Sequence, residues 1–112
     1  MTTITIVQLT APTQLSNADA TVYTAPTLST AKIGRAVFTN TTASAVTITA
    51  GITTGGALAA GTTMISARNL APGEAYVSPE LAGAVLPAGS VIRAYCSAAT
   101  SVTFTASGLL VQ

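Results

Sequence analysis

The chain is 112 residues long, enough for one hydrophobic core and short for two, and its charged side chains are four basic (Lys32, Arg35, Arg68, Arg93) and three acidic (Asp19, Glu74, Glu80). A soluble domain usually carries charge on about a quarter of its residues; here the share is 6% with a formal net charge of +1, so no basic footprint for nucleic acid or an anionic membrane is built and neither partner is expected. His and Trp are absent, which removes the side chain most used for proton transfer near neutral pH and the aromatic most used to grip sugars, and points to a structural or binding part rather than an enzyme.

Along the chain, Thr, Val and Ile alternate with small residues in short runs broken about every ten residues by Gly, Pro, Asn or Ser, the spacing of an all-β protein. The start carries no basic stretch and no continuous apolar stretch, so it does not read as a secretory signal, and the mature chain is expected to begin near Met1. Residues 2–9 predict a first strand with Ile4 and Ile6 on one face and Thr3, Thr5 and Val7 on the other. Residues 11–20, with Pro12, Ser16, Asn17 and Asp19, predict a loop. A short strand over 21–24 is ended by Pro26, whose missing N–H discourages central pairing.

Residues 32–39 predict a strand with Ala36 and Phe38 facing one way and Arg35, Val37 and Thr39 the other. Asn40-Thr41-Thr42-Ala43 then reads as a turn into a strand over 45–50, together a hairpin. The Gly-, Ala- and Thr-rich stretch 51–61 reads as a flexible surface loop, and 62–67 as a resumed strand. The long uncharged run from Ala36 to Ala67 is too interrupted by Thr and Gly to span a membrane.

Ala71-Pro72-Gly73-Glu74 fits a type II turn, with Pro presetting φ at the second position and Gly accepting positive φ at the third. Strands are expected over 75–78 and 81–86, then a second turn at Leu86-Pro87-Ala88-Gly89-Ser90. In the strand 91–96, Ile92, Ala94 and Cys96 share a face opposite Val91, Arg93 and Tyr95. The final strand alternates Val102, Phe104 and Ala106 with Thr103, Thr105 and Ser107, and its apolar end is expected to be paired in a sheet. The sum is about eight or nine short strands and no helix, which packs most naturally as an antiparallel two-sheet sandwich, jelly-roll-like. Residues 1–19 form an N-terminal strand or arm and loop, and 20–112 a single β-sandwich domain.

None of the chemistry-bearing residues assembles into a motif. Cys96 is the only cysteine, which excludes an intramolecular disulfide, and it reads as a small buried apolar side chain. The acids are too few and too scattered for a carboxylate pair or a calcium loop, and without His or a second Cys no transition-metal shell can close, so no metal and no cofactor are expected. No G-x-S-x-G elbow and no Gly-rich loop followed by Lys-Ser/Thr occur. The Thr-x-Thr triplets at Thr3/Thr5, Thr47/Thr49 and Thr103/Thr105 recur at unequal intervals, which favours outward faces of ordinary strands over an ice-binding solenoid. Phe38 and Phe104 read as core; Tyr23, Tyr76 and Tyr95 read as rim or contact residues.

The runs Val22-Tyr23-Thr24-Ala25-Pro26, Lys32 to Thr41, Leu70-Ala71-Pro72-Gly73-Glu74, Leu86 to Ala94 and Val102 to Gly108 together resemble small virion structural proteins of tailed bacteriophages, over about residues 20–111. The resemblance implies an oligomeric β-sandwich without catalytic residues, made in the host cytoplasm and attached to the capsid or the tail. The leading expectation is a capsid decoration or cement protein on the capsid exterior, a homotrimer bound to the major capsid protein or another virion protein. A tail fibre, collar or baseplate component and a receptor- or glycan-binding module are the alternatives. Contacts are expected from the N-terminal segment (Thr2, Ile4, Ile6, Val7), the loop 53–60 (Thr53, Thr54, Leu58) and Tyr76. A neutral surface of Thr, Ala and Gly suits such contacts because it loses little desolvation energy and little side-chain entropy when covered.

Overall fold

β-Branched side chains restrict χ1 and pack well on a pleated surface, and wherever they alternate with small residues in this chain a strand forms. A computed structural model describes residues 3–112. Its strands are β1 (Ile4–Gln14), β2 (Ala20–Thr24), β3 (Thr30–Asn40), β4 (Val46–Thr53), β5 (Thr63–Leu70), β6 (Ala75–Val77), β7 (Val85–Leu86), β8 (Val91–Cys96) and β9 (Val102–Val111), with no helix among the described residues. One sheet has the order β1-β9-β3-β6, with β7 also on β3; the other has the order β2-β8-β4-β5, and every pairing is antiparallel.

The pairing is nested. β1 lies on β9, β2 on β8, β3 on β6 and β7, and β4 on β5. That is one long hairpin with its tip between β4 and β5, rolled up so that most successive strands fall in opposite sheets, which makes a jelly roll. The short β6 and β7 share one strand position against β3, so nine strands fill an eight-position roll.

The topology corrects the hairpin expected at Asn40-Thr41-Thr42-Ala43. β3 and β4 belong to different sheets, and the turn carries the chain across the sandwich. The cause is Asn40 itself, which is fully buried at the corner. Its amide nitrogen donates to the carbonyls of Ser44, Leu70 and Ala71, and its Oδ1 accepts from the N–H and hydroxyl of Thr42. A buried side-chain amide satisfied this fully ties the corner to the turn after β5 instead of leaving β3 and β4 to pair. The local hairpin is β4–β5.

Other strand boundaries shift too. β1 runs to Gln14, through most of the expected loop, because β9 offers ladder partners as far as Thr103; Pro12 is tolerated because it falls in a register shift of an edge strand. β4 continues to Thr53 and β5 to Leu70. The strand expected over 81–86 is reduced to Val85–Leu86, since Gly83 takes φ +81° and the residues before it turn. The turn at Ala71-Pro72-Gly73-Glu74 has the expected geometry, with Gly73 at φ +75° and the Glu74 N–H donating to the Ala71 carbonyl at 3.0 Å.

Inward residues of both sheets meet in one core. Phe38 and Phe104, neighbours across β3–β9, sit at its centre with ring centroids 4.8 Å apart, tilted by 42°. Ile33, Ile48, Leu70, Leu81, Leu86, Ile92 and Val102 surround them without solvent exposure, and Cys96 is buried and free.

Candidate functional site

The outer surface of the β1-β9-β3-β6 sheet follows from its register. Directly paired residues share a face, so Ile6, Leu109 and Lys32 form one outward row and Ile4, Val111 and Thr30 the next. Ile4 is 65% and Ile6 87% exposed, and Val85, paired with Lys32, is 55% exposed. β1 is also an edge strand. It carries no charged residue and is the longest strand at either sheet's margin, so from Ile4 to Gln8, before the register shifts around Pro12, its outer backbone groups form an unprotected pairing edge. The expected half-buried character of this strand is therefore reversed for its isoleucines: they face solvent, and Val7, opposite Gly108 and Ile33, is the half-buried one.

On β3, a one-residue bulge at Gly34 interrupts this ladder: Ile33 faces Gly108, and the next paired residue, Arg35, faces Ser107. Strict alternation sends residues 32 and 35 to opposite faces. The extra residue restores both cations to the outside, where Lys32 and Arg35 are exposed. Beside the bulge lies a shallow groove of about 300 Å³ lined by Arg35, Val37, Thr105, Ala106 and Ser107.

The opposite sheet carries a different device. Residues 54–62 fold back over its outer surface, with Leu58 and Thr62 lying on Gly51, where any Cβ would strike the Thr62 carbonyl. Asp19 pins this loop: its Oδ1 accepts from Arg93 Nε at 2.9 Å and its Oδ2 from the Leu58 N–H at 2.9 Å. The hydrogen bond from Arg93 holds the Asp19 carboxyl below its ordinary value against a partial opposing effect of burial. A stretch that reads as flexible in sequence is thus fastened at its middle by a charged pair.

Arg68, Tyr76, Glu74 and Glu80 are engaged within the chain. Tyr76 is buried beneath Arg68, whose guanidinium sits 4.0 Å from the ring centroid, and its hydroxyl donates to Glu80, which also accepts from the Ser78 hydroxyl. Burial raises the Tyr76 phenol, and the phenol's hydrogen bond lowers the Glu80 carboxyl. Glu74 accepts from the Ala71 N–H and closes its own turn. Tyr23 points its hydroxyl into the interior with no partner, and burial raises its pKa. Among the described residues no group of His, Cys, Asp and Glu is placed to hold a metal ion.

The residues expected to make contacts are dispersed. Ile4, Ile6 and Val7 lie on β1, and Thr2 lies outside the described residues. Thr53 is buried, its hydroxyl donating to the Gly56 carbonyl, while Thr54 is exposed and Leu58 half-buried on Gly51. Tyr76 is 9% exposed and sits across the molecule's edge from β1 in the same sheet. Lys32, Val85 and Leu109 escaped sequence reasoning because only the β1–β9, β3–β9 and β3–β7 registers place them in one row with Ile6.

No protein-family model matches this chain, and no curated protein does. Among solved structures it is similar to the infectious bursal disease virus VP2 subviral particle, at 17% identity over 98% of this chain and 32% of that one, with a TM-score of 0.54. It is also similar to the structure of the Gx strain of infectious bursal disease virus, at 18% identity over 99% of this chain and 32% of that one, with a TM-score of 0.50. The chain spans about a third of the length of the structures it matches. At this identity the likeness is one of fold.

Proposed function

We propose that this chain is a non-enzymatic structural protein of a virus particle, a decoration protein that seats on the capsid exterior and ties the major shell subunits together, assembled as a homotrimer. The observation that carries this reading is the uncharged eleven-residue edge strand β1 with Ile4 and Ile6 turned to solvent. Sheet edges of soluble monomers are blunted with Lys, Pro, bulges or short strands; here Pro12 and the register shifts blunt only the far half of β1, and the half from Ile4 to Gln8 is left uncharged and apolar, as a surface kept for another chain would be. The jelly-roll order, the likeness of fold to a viral particle protein and the resemblance of the sequence to tailed-phage virion proteins support the same reading. A surface of Thr, Ala and Gly is covered at little cost, and repetition around a shell multiplies each weak contact.

Size-exclusion chromatography with light scattering, together with sedimentation alongside purified particles, tests the proposal. A trimer that co-sediments with particles, in hundreds of copies per shell, is the expected result. A stable monomer without affinity for particles overturns it.

A further inference from the structure

The Gly34 bulge places two cations on a face that holds no acid. Every outward residue of this sheet given by its register, from Ile4 on β1 to Val77 on β6, is apolar, hydroxylic, amide or cationic. The bulge is built for this position. At Gly108, across the ladder, a Cβ would come within 1.9 Å of the Lys32 carbonyl oxygen, so the two strands approach closely enough for the extra residue only because glycine stands there. Bulges re-aim side chains; this one turns Lys32, which alternation would send to the side of Ala36 and Phe38, out toward solvent.

The two cations also stand apart from the chain's other charges. Arg93 is paired with Asp19, and Arg68 lies on Tyr76 next to Glu80. All three acids are occupied at home: Asp19 by Arg93 and the Leu58 N–H, Glu80 by Tyr76 and Ser78, and Glu74 by the Ala71 N–H. None of the three stands on this face, so a second copy meeting it face to face would set cations against Lys32 and Arg35. Two charges are also too few to hold nucleic acid, where each phosphate contact contributes one increment of a salt-dependent affinity. The flanking Ile4, Ile6, Leu109 and Val85 call for apolar contact as well.

We propose that this face docks on a different shell protein, at a patch where two acidic side chains are framed by apolar ones, with Lys32 and Arg35 each meeting a carboxylate. The proposal rests on the reading of the chain as a particle protein and names the partner chemistry of that contact. Charge pairs at such an interface set register and association rate, and the apolar flank supplies the desolvated surroundings in which they hold.

The test uses the full chain, as wild type, K32Q/R35Q and K32E/R35E, against shells of the major subunit stripped of this protein. Both side chains are exposed, so the variants keep the wild-type thermal midpoint; should the charge-reversed protein misfold, the neutral one carries the comparison. The expected result is a loss of affinity of about tenfold for K32Q/R35Q and at least about a hundredfold for K32E/R35E, with a weaker salt dependence than wild type. Wild-type binding that both variants match, at the same salt dependence, overturns the docking face and leaves the particle assignment standing. Failure of the wild type to bind stripped shells overturns both. Loss of self-association in K32E/R35E, or tight binding of a DNA duplex by the wild type, assigns the face to another occupant and also overturns the proposal.

Discussion

Replacing Gly108 with alanine adds one methyl group at the point where β9 runs closest to β3. The new Cβ would lie 1.9 Å from the Lys32 carbonyl oxygen and 2.9 Å from the Gly34 nitrogen. Ordinary contact begins near 3.4 Å, so the strands must part by about 1.5 Å. β9 is held by β1 on one side and β3 on the other, so the separation cannot be absorbed by sliding an edge. Overpacking of this kind costs about 1–3 kcal/mol, and a ladder hydrogen bond lost beside it about 1 more. The lower backbone entropy of alanine in the unfolded chain returns about 0.4–1 kcal/mol. The net expectation is about 1–3.5 kcal/mol, a fall in Tm on the order of 10 °C for a domain of this size. Gly34→Ala is the internal control, because its Cβ would meet nothing nearer than the Ser107 carbonyl at 3.4 Å and the residue has no positive φ. That variant should be neutral or gain a few tenths of a kcal/mol. Equilibrium denaturation followed by circular dichroism measures both. A Gly108→Ala protein within about 0.5 kcal/mol of wild type, or a Gly34→Ala protein equally damaged, refutes the geometry assigned to the bulge.

Two tyrosine hydroxyls should respond with opposite sign. Tyr23→Phe removes a buried hydroxyl that has no partner and should stabilise by up to about 1 kcal/mol, whereas Tyr76→Phe removes one hydrogen bond to the exposed Glu80, which keeps Ser78, and should cost about 0.5–1.5 kcal/mol in the same denaturation assay. The acid limb of stability should belong to Asp19 and Glu80. Their folded pKa values lie below the ordinary 3.8 and 4.5, so their contributions are complete above those values and are lost as pH falls through the lower folded ones. With no histidine, thermal midpoints should be flat between about pH 5 and 8, and Asp19→Asn should make the fall below pH 4 shallower; an equally steep fall in that variant counts against the Arg93 pairing. Leu28 is 88% exposed at φ +64°, so Leu28→Gly should relieve about 1 kcal/mol of left-handed strain without opening the core, read as a higher denaturation midpoint. A lower midpoint would show that Leu28 is held by contacts its exposure does not suggest.

Much of the fold was legible residue by residue. Phe38 and Phe104 read as core and Cys96 as a small buried side chain, with Ile92 and Ala94 on the Cys96 face, and all five are buried because period-two patterning acts within a single strand and needs no knowledge of its partner. The Pro72-Gly73 turn was legible for the same reason, its φ preferences being local. Pairing was not legible. The expected hairpin between residues 32–39 and 45–50 has a sound turn sequence, but the choice between pairing across a turn and crossing to the other sheet depends on what Asn40 finds around Leu70 and Ala71, thirty residues on. Of the contact residues, Ile4 and Ile6 could be read as a common face. That the face is the outer one depends on Val7 and Gly108 closing against Ile33.

The order of hydroxyls, methyls and rare charges along 112 residues determined that this chain is a stack of short strands with an almost neutral surface, since composition and alternation follow from side-chain chemistry alone. The rolled order of the strands, the fastening of the 54–62 loop by Asp19 and the outward turn of Lys32 beside Arg35 were decided only in three dimensions. Each depends on groups far apart in the chain meeting at angstrom distances. The bulge is the sharpest case: a single unpaired glycine, stabilised by a second glycine more than seventy residues later, sets which side of the sheet carries the charge.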